Sequence, residues 1–283
     1  MSTLHAPVVR TQVLLSLFFV VVCLGFLFPI YALVLASFRP GRDLIRFGIT
    51  AQTLVPKDLS LNFLVNLFTT KNGIYLVWFR NSLIIVVLQT CLSLFFCSMV
   101  GYGLGVYEFK GKKIILSLML LVMMVPLQIL ILPLYRLLIT IKSMNTFQGI
   151  MFPFIVSPFA IFFFRQYVIG VPMDFIDAGR IDGLSEGGIY FRIMAPLMAP
   201  AFGAMAILGA LQSWNNFLWP LIVMRTGNMF TIPVGLATLL TPYGNNYDML
   251  ISGSVMATIP IILIFFIFQR YFIAGLTTGG IKG

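Results

Sequence analysis

Charge is scarce in this chain: Asp, Glu, Lys and Arg make up 9% of 283 residues, against about 25% in an ordinary soluble domain. So few ionic groups cannot clothe a water-facing surface, and lipid must cover much of it. Histidine is reduced to His5, which excludes Ser-His-Asp catalysis and any site needing several His ligands. Cysteine is limited to Cys23, Cys91 and Cys97, all inside apolar stretches and without a C-x-x-C pair. They read as small buried hydrophobes, and no metal site is expected. A phosphate-binding loop is also lacking. The nearest approach, GVYEFKGKK from Gly105 to Lys113, spaces its glycines six apart and puts Lys113 where Ser or Thr is required. No cofactor is therefore expected in this chain, and any ATP and Mg it depends on would be bound elsewhere.

What the chain has in abundance is apolar length. Hydrophobic residues make up 60%, with 28 Phe and 15 Met. Charge-free stretches run from Arg10 to Arg39, Arg80 to Glu108, Lys113 to Arg136, Lys142 to Arg165, Arg192 to Arg225 and Asp248 to Arg270. Each exceeds the ~20 residues needed to cross a ~30 Å hydrocarbon layer at 1.5 Å per residue. In hydrocarbon every backbone N–H and C=O must be satisfied within its segment, so these runs are expected to be helices. The short alternating strands of a membrane barrel are missing. The fold class is thus all-α, a polytopic membrane protein with six transmembrane helices. The first run is longer than a signal-peptide core and no A-x-A-like site follows, so it reads as a retained span.

The formal net charge is +10, but the basic residues are scattered between spans. They suit anionic lipid headgroups, and nucleic acid is not an expected partner. They do not settle orientation. With both termini cytoplasmic, the 18 Lys and Arg divide equally between the two sides, so the positive-inside rule gives no answer.

Residues 1–76 read as a first transmembrane helix and its connection (periplasmic if the termini are cytoplasmic), 77–275 as a core of five transmembrane helices, and 276–283 as a C-terminal tail. The stretch LNFLVNLF at 61–68 suits a short interfacial helix. Pro126 and Pro133 invite kinks in the third span. A seventh charge-free stretch, between Arg225 and Asp248, is rich in Gly, Pro, Thr and Asn and is expected to lie outside the membrane.

Four of the eight acidic residues, Asp174, Asp177, Asp182 and Glu186, fall in the single loop 171–192 before the fifth span. The loop reads as two short helices. Asp174 complements the first helix dipole, Gly183 supplies a left-handed stop, and Ser185 caps a second helix that continues towards Pro196 and the fifth span. Met173, Ile176 and Ile181 would give the first helix an apolar face. Ala178 and Gly179 would offer a flat patch for a close approach from outside. Such a stub is suited to docking.

This stretch resembles the EAA loop of permeases in binding-protein-dependent, ATP-binding-cassette importers. Asp177-Ala178-Gly179 stands for the Glu-Ala-Ala triplet, Gly183 for the glycine, and Ile193, Pro196 and Pro200 follow at the family's offsets. Asp at 177, Gly at 179 and Ala195 in place of Leu depart from the pattern. VPLQILILPLY in the third span, SWNNFLWPL at 213–221 and the ending QRYFIAGLTTGGIKG extend the likeness to about residues 75–283, and to the sugar-importing, maltose-type branch. The resemblance implies the type I importer permease fold and no enzymatic activity in this chain. It implies a location in the bacterial inner membrane with both termini cytoplasmic. Partners would be a second permease subunit, an ATPase homodimer that binds the ATP and Mg, a periplasmic or lipid-anchored solute-binding protein, and membrane lipid. Coupling to the ATPase would fall on Asp174, Asp177, Ala178, Gly179, Asp182, Gly183 and Glu186, with tail contacts from Thr277, Gly279, Gly280 and Lys282. The solute would be a sugar or oligosaccharide. The alternative is a polyol or glycerol phosphate, and a secondary transporter is disfavoured because the spans hold no ionisable group. A substrate path would draw on Gln212, Trp214, Asn215 and Asn216, with Trp and Asn forming one wall. Gln128 and Gln89, deep in their spans, would hydrogen-bond a partner helix or a hydroxyl.

Overall fold

A computed structural model describes residues 5–48, 50, 55, 59–241 and 244–278. Helix α1 (His5–Ala36) is followed by short α2 (Gly41–Phe47) and α3 (Asn62–Thr69), then long α4 (Ile74–Val106). The next two crossings are pairs: α5 (Lys112–Met123) with α6 (Leu127–Thr140), and α7 (Phe147–Ile155) with α8 (Pro158–Ile169). Short α9 (Asp174–Ile181) and α10 (Glu186–Ile189) lead through a π-helical turn (Tyr190–Met194) and α11 (Ala195–Leu197) into α12 (Ala199–Trp214). Helices α13 (Leu218–Val223) and α14 (Ile232–Ala237), a two-stranded hairpin of β1 (Leu240–Thr241) and β2 (Gly244–Asn245), and long α15 (Tyr247–Thr278) complete the chain.

Three helices, α1, α4 and α15, are long and apolar enough to cross a membrane as single rods. Three more crossings are broken: α5–α6 bends by 101°, α7–α8 by 42°, and the run from Glu186 to Trp214 by 75°. With each bent pair as one crossing the total is six, matching the six charge-free stretches. The first break falls at Pro126, whose extended backbone (ψ 133°) ends the helical run before α6 begins. Pro133, also expected to kink the span, is accommodated inside α6.

Contacts divide the chain into two compact units, Met1–Tyr75 with Leu236–Thr258, and Leu76–Gly235 with Ile259–Gly283. In the first, the Tyr75 hydroxyl donates to Gly253 O at 2.8 Å and the Gly41 N–H to Asp248 Oδ1 at 2.5 Å. Helix α3, the expected short apolar helix, buries Leu67 here. Cys23 and Cys91 correct the sequence reading: both are exposed on apolar helices, and of the three cysteines Cys97 alone is buried. In a lipid-facing helix a thiol needs no interior.

The second unit is built on a close approach of α4 and α8. A Cβ on Gly101 would lie 2.7 Å from Phe164 Cβ and 2.8 Å from the Ile161 carbonyl oxygen; one on Gly105 would lie 2.8 Å from Val168 Cγ1. Four residues apart, the two glycines share one face of α4, and such small-x-x-x-small seams let helices in lipid gain dispersion contact where the hydrophobic effect offers none. Phe164, Ile161, Val168 and Cys97 form a buried core there with Ile176, Ile189, Tyr190 and Met194.

The segment after Arg225 is held by the start of α4, which explains why it does not span. Trp78 Nε1 donates to Gly227 O at 2.8 Å, Asn81 Nδ2 to Asn228 O at 2.8 Å and Phe230 O at 3.0 Å, and Ser82 Oγ accepts from the Ile232 N–H at 2.8 Å.

Gly101→Ala is expected to destabilise the protein by roughly 1–3 kcal/mol through overpacking. Gly103→Ala, whose added methyl meets nothing within 4 Å, should be neutral. Melting of the purified membrane protein in detergent checks both, and equal melting temperatures would refute the seam.

Candidate functional site: an acidic helical stub and a polar transmembrane cavity

The loop 171–192 forms the two helices its sequence implies. Gly183 is left-handed at φ +76° after α9, and Ser185 caps α10, its Oγ accepting from the Gly188 N–H at 3.2 Å. Beyond α10 the chain continues past Pro196 into the fifth span, as its sequence implies, but not as one straight helix. The π-helical turn and a 75° bend intervene, and Pro200, without an N–H, is suited to the first turn of the new helix α12.

The stub is fastened to its own chain by one face. Ile176 is 1% exposed. Gly179 is buried where a Cβ would come within 2.7 Å of Ile193 Cδ1 and 3.1 Å of Ile189 Cγ1. Its flatness therefore serves an internal approach, correcting the reading of Gly179 as part of an outward patch. At the rim, Arg180 Nε donates to Glu186 Oε1 at 3.0 Å and Arg180 Nη1 to Asp177 Oδ1 at 3.3 Å. The Tyr107 hydroxyl, just past α4, donates to Glu186 Oε2 at 2.6 Å. Burial first, and this bond second, hold the Tyr107 phenol above its ordinary pKa, so it stays a donor. The Tyr107 ring packs edge-on against Tyr102, the Tyr102 ring meets Tyr190 at a tilt of 52°, and the Tyr190 and Ser98 hydroxyls lie 2.6 Å apart. Sequence reasoning missed these tyrosines, because nothing local links Tyr107 to a carboxylate 79 positions away.

The opposite face of α9 is exposed. Phe175, Ala178 and Ile181, three residues apart, are exposed, Ile181 to 86%. Asp174, Asp177 and Asp182 are exposed beside them. This corrects the grouping of Met173, Ile176 and Ile181 into one apolar face: 176 and 181 are five positions apart, which turns them to different sides of a 3.6-residue helix.

The residues assigned to a substrate path do not gather as expected. Trp214 is 3% exposed and packs edge-on against Phe79. Asn215 donates from Nδ2 to Leu211 O at 3.0 Å, closing its own helix end, and Asn216 donates its backbone N–H to Ser213 O at 3.3 Å. A Trp–Asn wall is therefore not formed. Gln128 is exposed on α6, away from the cavity that Gln212 and Gln89 line together. That cavity, of about 310 Å³, lies among α4, α8 and α12 and is also lined by Thr90, Ser93, Ser157 and Gly209. Gln89 accepts from Ser213 Oγ at 3.1 Å, as its place in the span suggested. Of the tail residues, Gly279, Gly280 and Lys282 lie outside the described residues, as does the side chain of Thr277.

A helical bundle with broken spans, a neutral cavity between helices and a fastened stub outside the apolar segments defines a membrane permease. The chain belongs to the family described as the binding-protein-dependent transport system inner membrane component, which matches residues 97–277. It is 55% identical over 280 residues, 99% of each chain, to the arabinooligosaccharides transport system permease protein AraQ of Bacillus subtilis. It is 33% identical over 256 residues, 90% of this chain and 91% of the other, to the lactose transport system permease protein LacG of Rhizobium radiobacter. Its fold matches a chain of a bacterial ABC transporter involved in the import of the acidic polysaccharide alginate, with a TM-score of 0.80 at 19% identity over 96% of this chain and 99% of that one.

Tyr107→Phe is expected to speed amide hydrogen exchange across 186–190 several-fold, since it deletes the bond that ties Glu186 to the end of α4. Unchanged exchange would show that the phenol does not hold the stub.

Proposed function

We propose that this chain is a transmembrane subunit of an ATP-driven importer for short neutral oligosaccharides, arabinose-containing ones first among them. The carrying observation is the stub. Its inner face is locked into the bundle through Ile176 and Gly179, while its outer face leaves Phe175, Ala178 and Ile181 exposed beside Asp174, Asp177 and Asp182. A helix fastened on one side and apolar on the other is suited to seat in a groove of a partner protein, here a cytoplasmic ATPase subunit. That role places both termini inside. Asp177, Asp182, Gly183 and Glu186 then act in coupling, the last two by shaping the stub.

In this reading ATP and Mg bind the ATPase pair, not this chain. Closure of the pair moves the stub, and the stub moves the bundle between inward- and outward-facing states. A second permease subunit completes the pathway, and a solute-binding protein delivers the sugar from the far side of an inner membrane. The transport system that the AraQ relative names supports the sugar assignment at 55% identity over nearly the whole chain. Glycerol phosphate is disfavoured because no cation is among the residues lining the cavity, and a phosphate in hydrocarbon would need one.

Ile181→Asp tests the docking face, because an 86% exposed position tolerates charge without cost to the fold. The ATPase is expected to be lost on purification of the complex and ATP-driven uptake to fall at least tenfold, with the two permeases still paired. Wild-type co-purification and uptake would sink the coupling role.

A further inference from the structure

Arg165, in α8, is half-buried, yet none of its guanidinium nitrogens makes a hydrogen bond or ion pair among the described residues. Nε is sealed inside the protein, whereas Nη1 and Nη2 stay open to the outside. A guanidinium keeps its charge, and its donors are costly to leave unmatched beside hydrocarbon. Glu108 does not answer it, because Lys112 Nζ holds Glu108 Oε1 at 2.8 Å and also donates to Tyr107 O at 3.0 Å. The Lys112 bond first, with Arg165 and Lys113 adding to it, keeps the Glu108 carboxyl below its ordinary pKa, so all three cations lie within electrostatic reach of it. Lys110 and Lys113 are exposed in the same turn. Glu186, the other carboxylate at this end of α4, is taken by Tyr107 and Arg180. The turn is thus left with a surplus of positive charge.

This cluster lies where a crossing ends. A Cβ on Gly105 would stand 3.7 Å from the Arg165 carbonyl oxygen, so Arg165 is level with the last turn of α4, which ends at Val106. Helix α5 returns from Lys112, and from Ile114 its sequence carries no charge as far as Arg136. Ile114, Leu118 and Leu121, spaced four and three apart, form an exposed apolar stripe along α5, and Phe109 is exposed in the turn. Surplus cations at the head of an apolar stripe match the two halves of a phospholipid.

We propose that Arg165, Lys113 and Lys110 form a binding site for an anionic phospholipid. Its phosphate sits against the open Nη nitrogens and the Lys113 ammonium, and its chains run along Ile114, Leu118 and Leu121. A guanidinium suits this task because its planar fork offers two parallel donors to a phosphate. The apolar stripe selects a lipid, since a soluble phosphate would leave it unused. The site adjoins the stub: Tyr107, next to Glu108, holds Glu186 at 2.6 Å. The inference is independent of the solute carried.

The test titrates the full-length protein in neutral detergent with dioctanoyl phosphatidylglycerol, dioctanoyl phosphatidylcholine or inorganic phosphate, and counts retained lipid by native mass spectrometry. Phosphatidylglycerol is expected to be retained in preference to phosphatidylcholine. Arg165→Gln and Lys113→Gln should each weaken it about fivefold, the scale of one Lys or Arg beside an anionic headgroup, and leave phosphatidylcholine unchanged. Lys113 is exposed, so Lys113→Gln should keep the wild-type melting temperature and carry the test alone if Arg165→Gln does not fold. Equal retention of the two lipids by the wild type, or wild-type phosphatidylglycerol affinity in Lys113→Gln, overturns the site. Displacement of phosphatidylglycerol by an equal concentration of inorganic phosphate shows that the stripe adds nothing and overturns the lipid assignment. Loss of co-purifying protein subunits from Lys113→Gln, with phosphatidylglycerol affinity unchanged, makes the cluster a protein contact and overturns it as well.

Discussion

Hydrocarbon offers no hydrogen-bond partner, and the architecture follows from how each interrupted helix satisfies its own freed backbone groups. At the first break the N–H groups of Met124 and Val125 turn back to Leu121 O and Val122 O, both at 3.1 Å, before Pro126 starts a new direction. At the second, Ser157 accepts from the Ala160 N–H through Oγ and from the Ile161 N–H through its carbonyl. At the third, Met198 donates to Met194 O at 2.9 Å and accepts from Phe202 at 3.0 Å. Bends of 101°, 42° and 75° are thus built from half-helices that cap themselves. The cavity depends on this economy: Ser157, the cap of α8, is also one of its walls.

The glycine seam sets the other constraint. Because α4 and α8 meet at backbone distance along Gly101 and Gly105, the part of the second unit beside the stub is a dense cluster into which the stub inserts Ile176 and the second loop helix inserts Ile189. Under the proposed coupling the stub is a lever, and a lever must be stiff where it joins the machine. The stub's polar bonds to Glu186 are exposed and screened by salt, so the stiffness rests on the packing of Ile176, Gly179 and Ile189, with the Tyr107 bond orienting the rim.

The fold was largely legible because charge is so rare here that the long runs free of Lys, Arg, Asp and Glu mark out the spans. The stop at Gly183 and the cap at Ser185 were legible for the same local reason: each depends on one residue and its immediate backbone. Facing was not. The assignment of Ile181 to the inner face failed because an eight-residue helix has too few turns for periodicity to choose between neighbouring faces. Gly179 was read outward because sequence shows that a side chain is missing but not what occupies the space. The Trp214–Asn216 segment suggested a sugar wall by residue type alone, yet Phe79, more than a hundred positions earlier, claims the Trp214 ring. The cavity was half visible, through Gln89 and Gln212. Its other donors, Thr90 and Ser157, look like ordinary span residues until three helices bring them together.

Under the proposed coupling, α4 connects the two sites mechanically. Ser98, hydroxyl to hydroxyl with Tyr190, is eight residues from Thr90, about 12 Å along an unbroken helix at 1.5 Å per residue. The stub's anchor and one wall of the cavity therefore ride on the same unbroken helix. The facing wall belongs to α12, which follows a π-helical turn and a 75° bend at Met198, and insertions of this kind are where helices yield. A displacement delivered to the stub would reach the α4 wall directly and the α12 wall through a flexible joint. The two walls would move by different amounts, and the cavity between them would open or close as a consequence. Alternating access in this chain then needs no separate gate: the difference in stiffness between a straight helix and a bent one is sufficient to turn one push into a change of cavity shape.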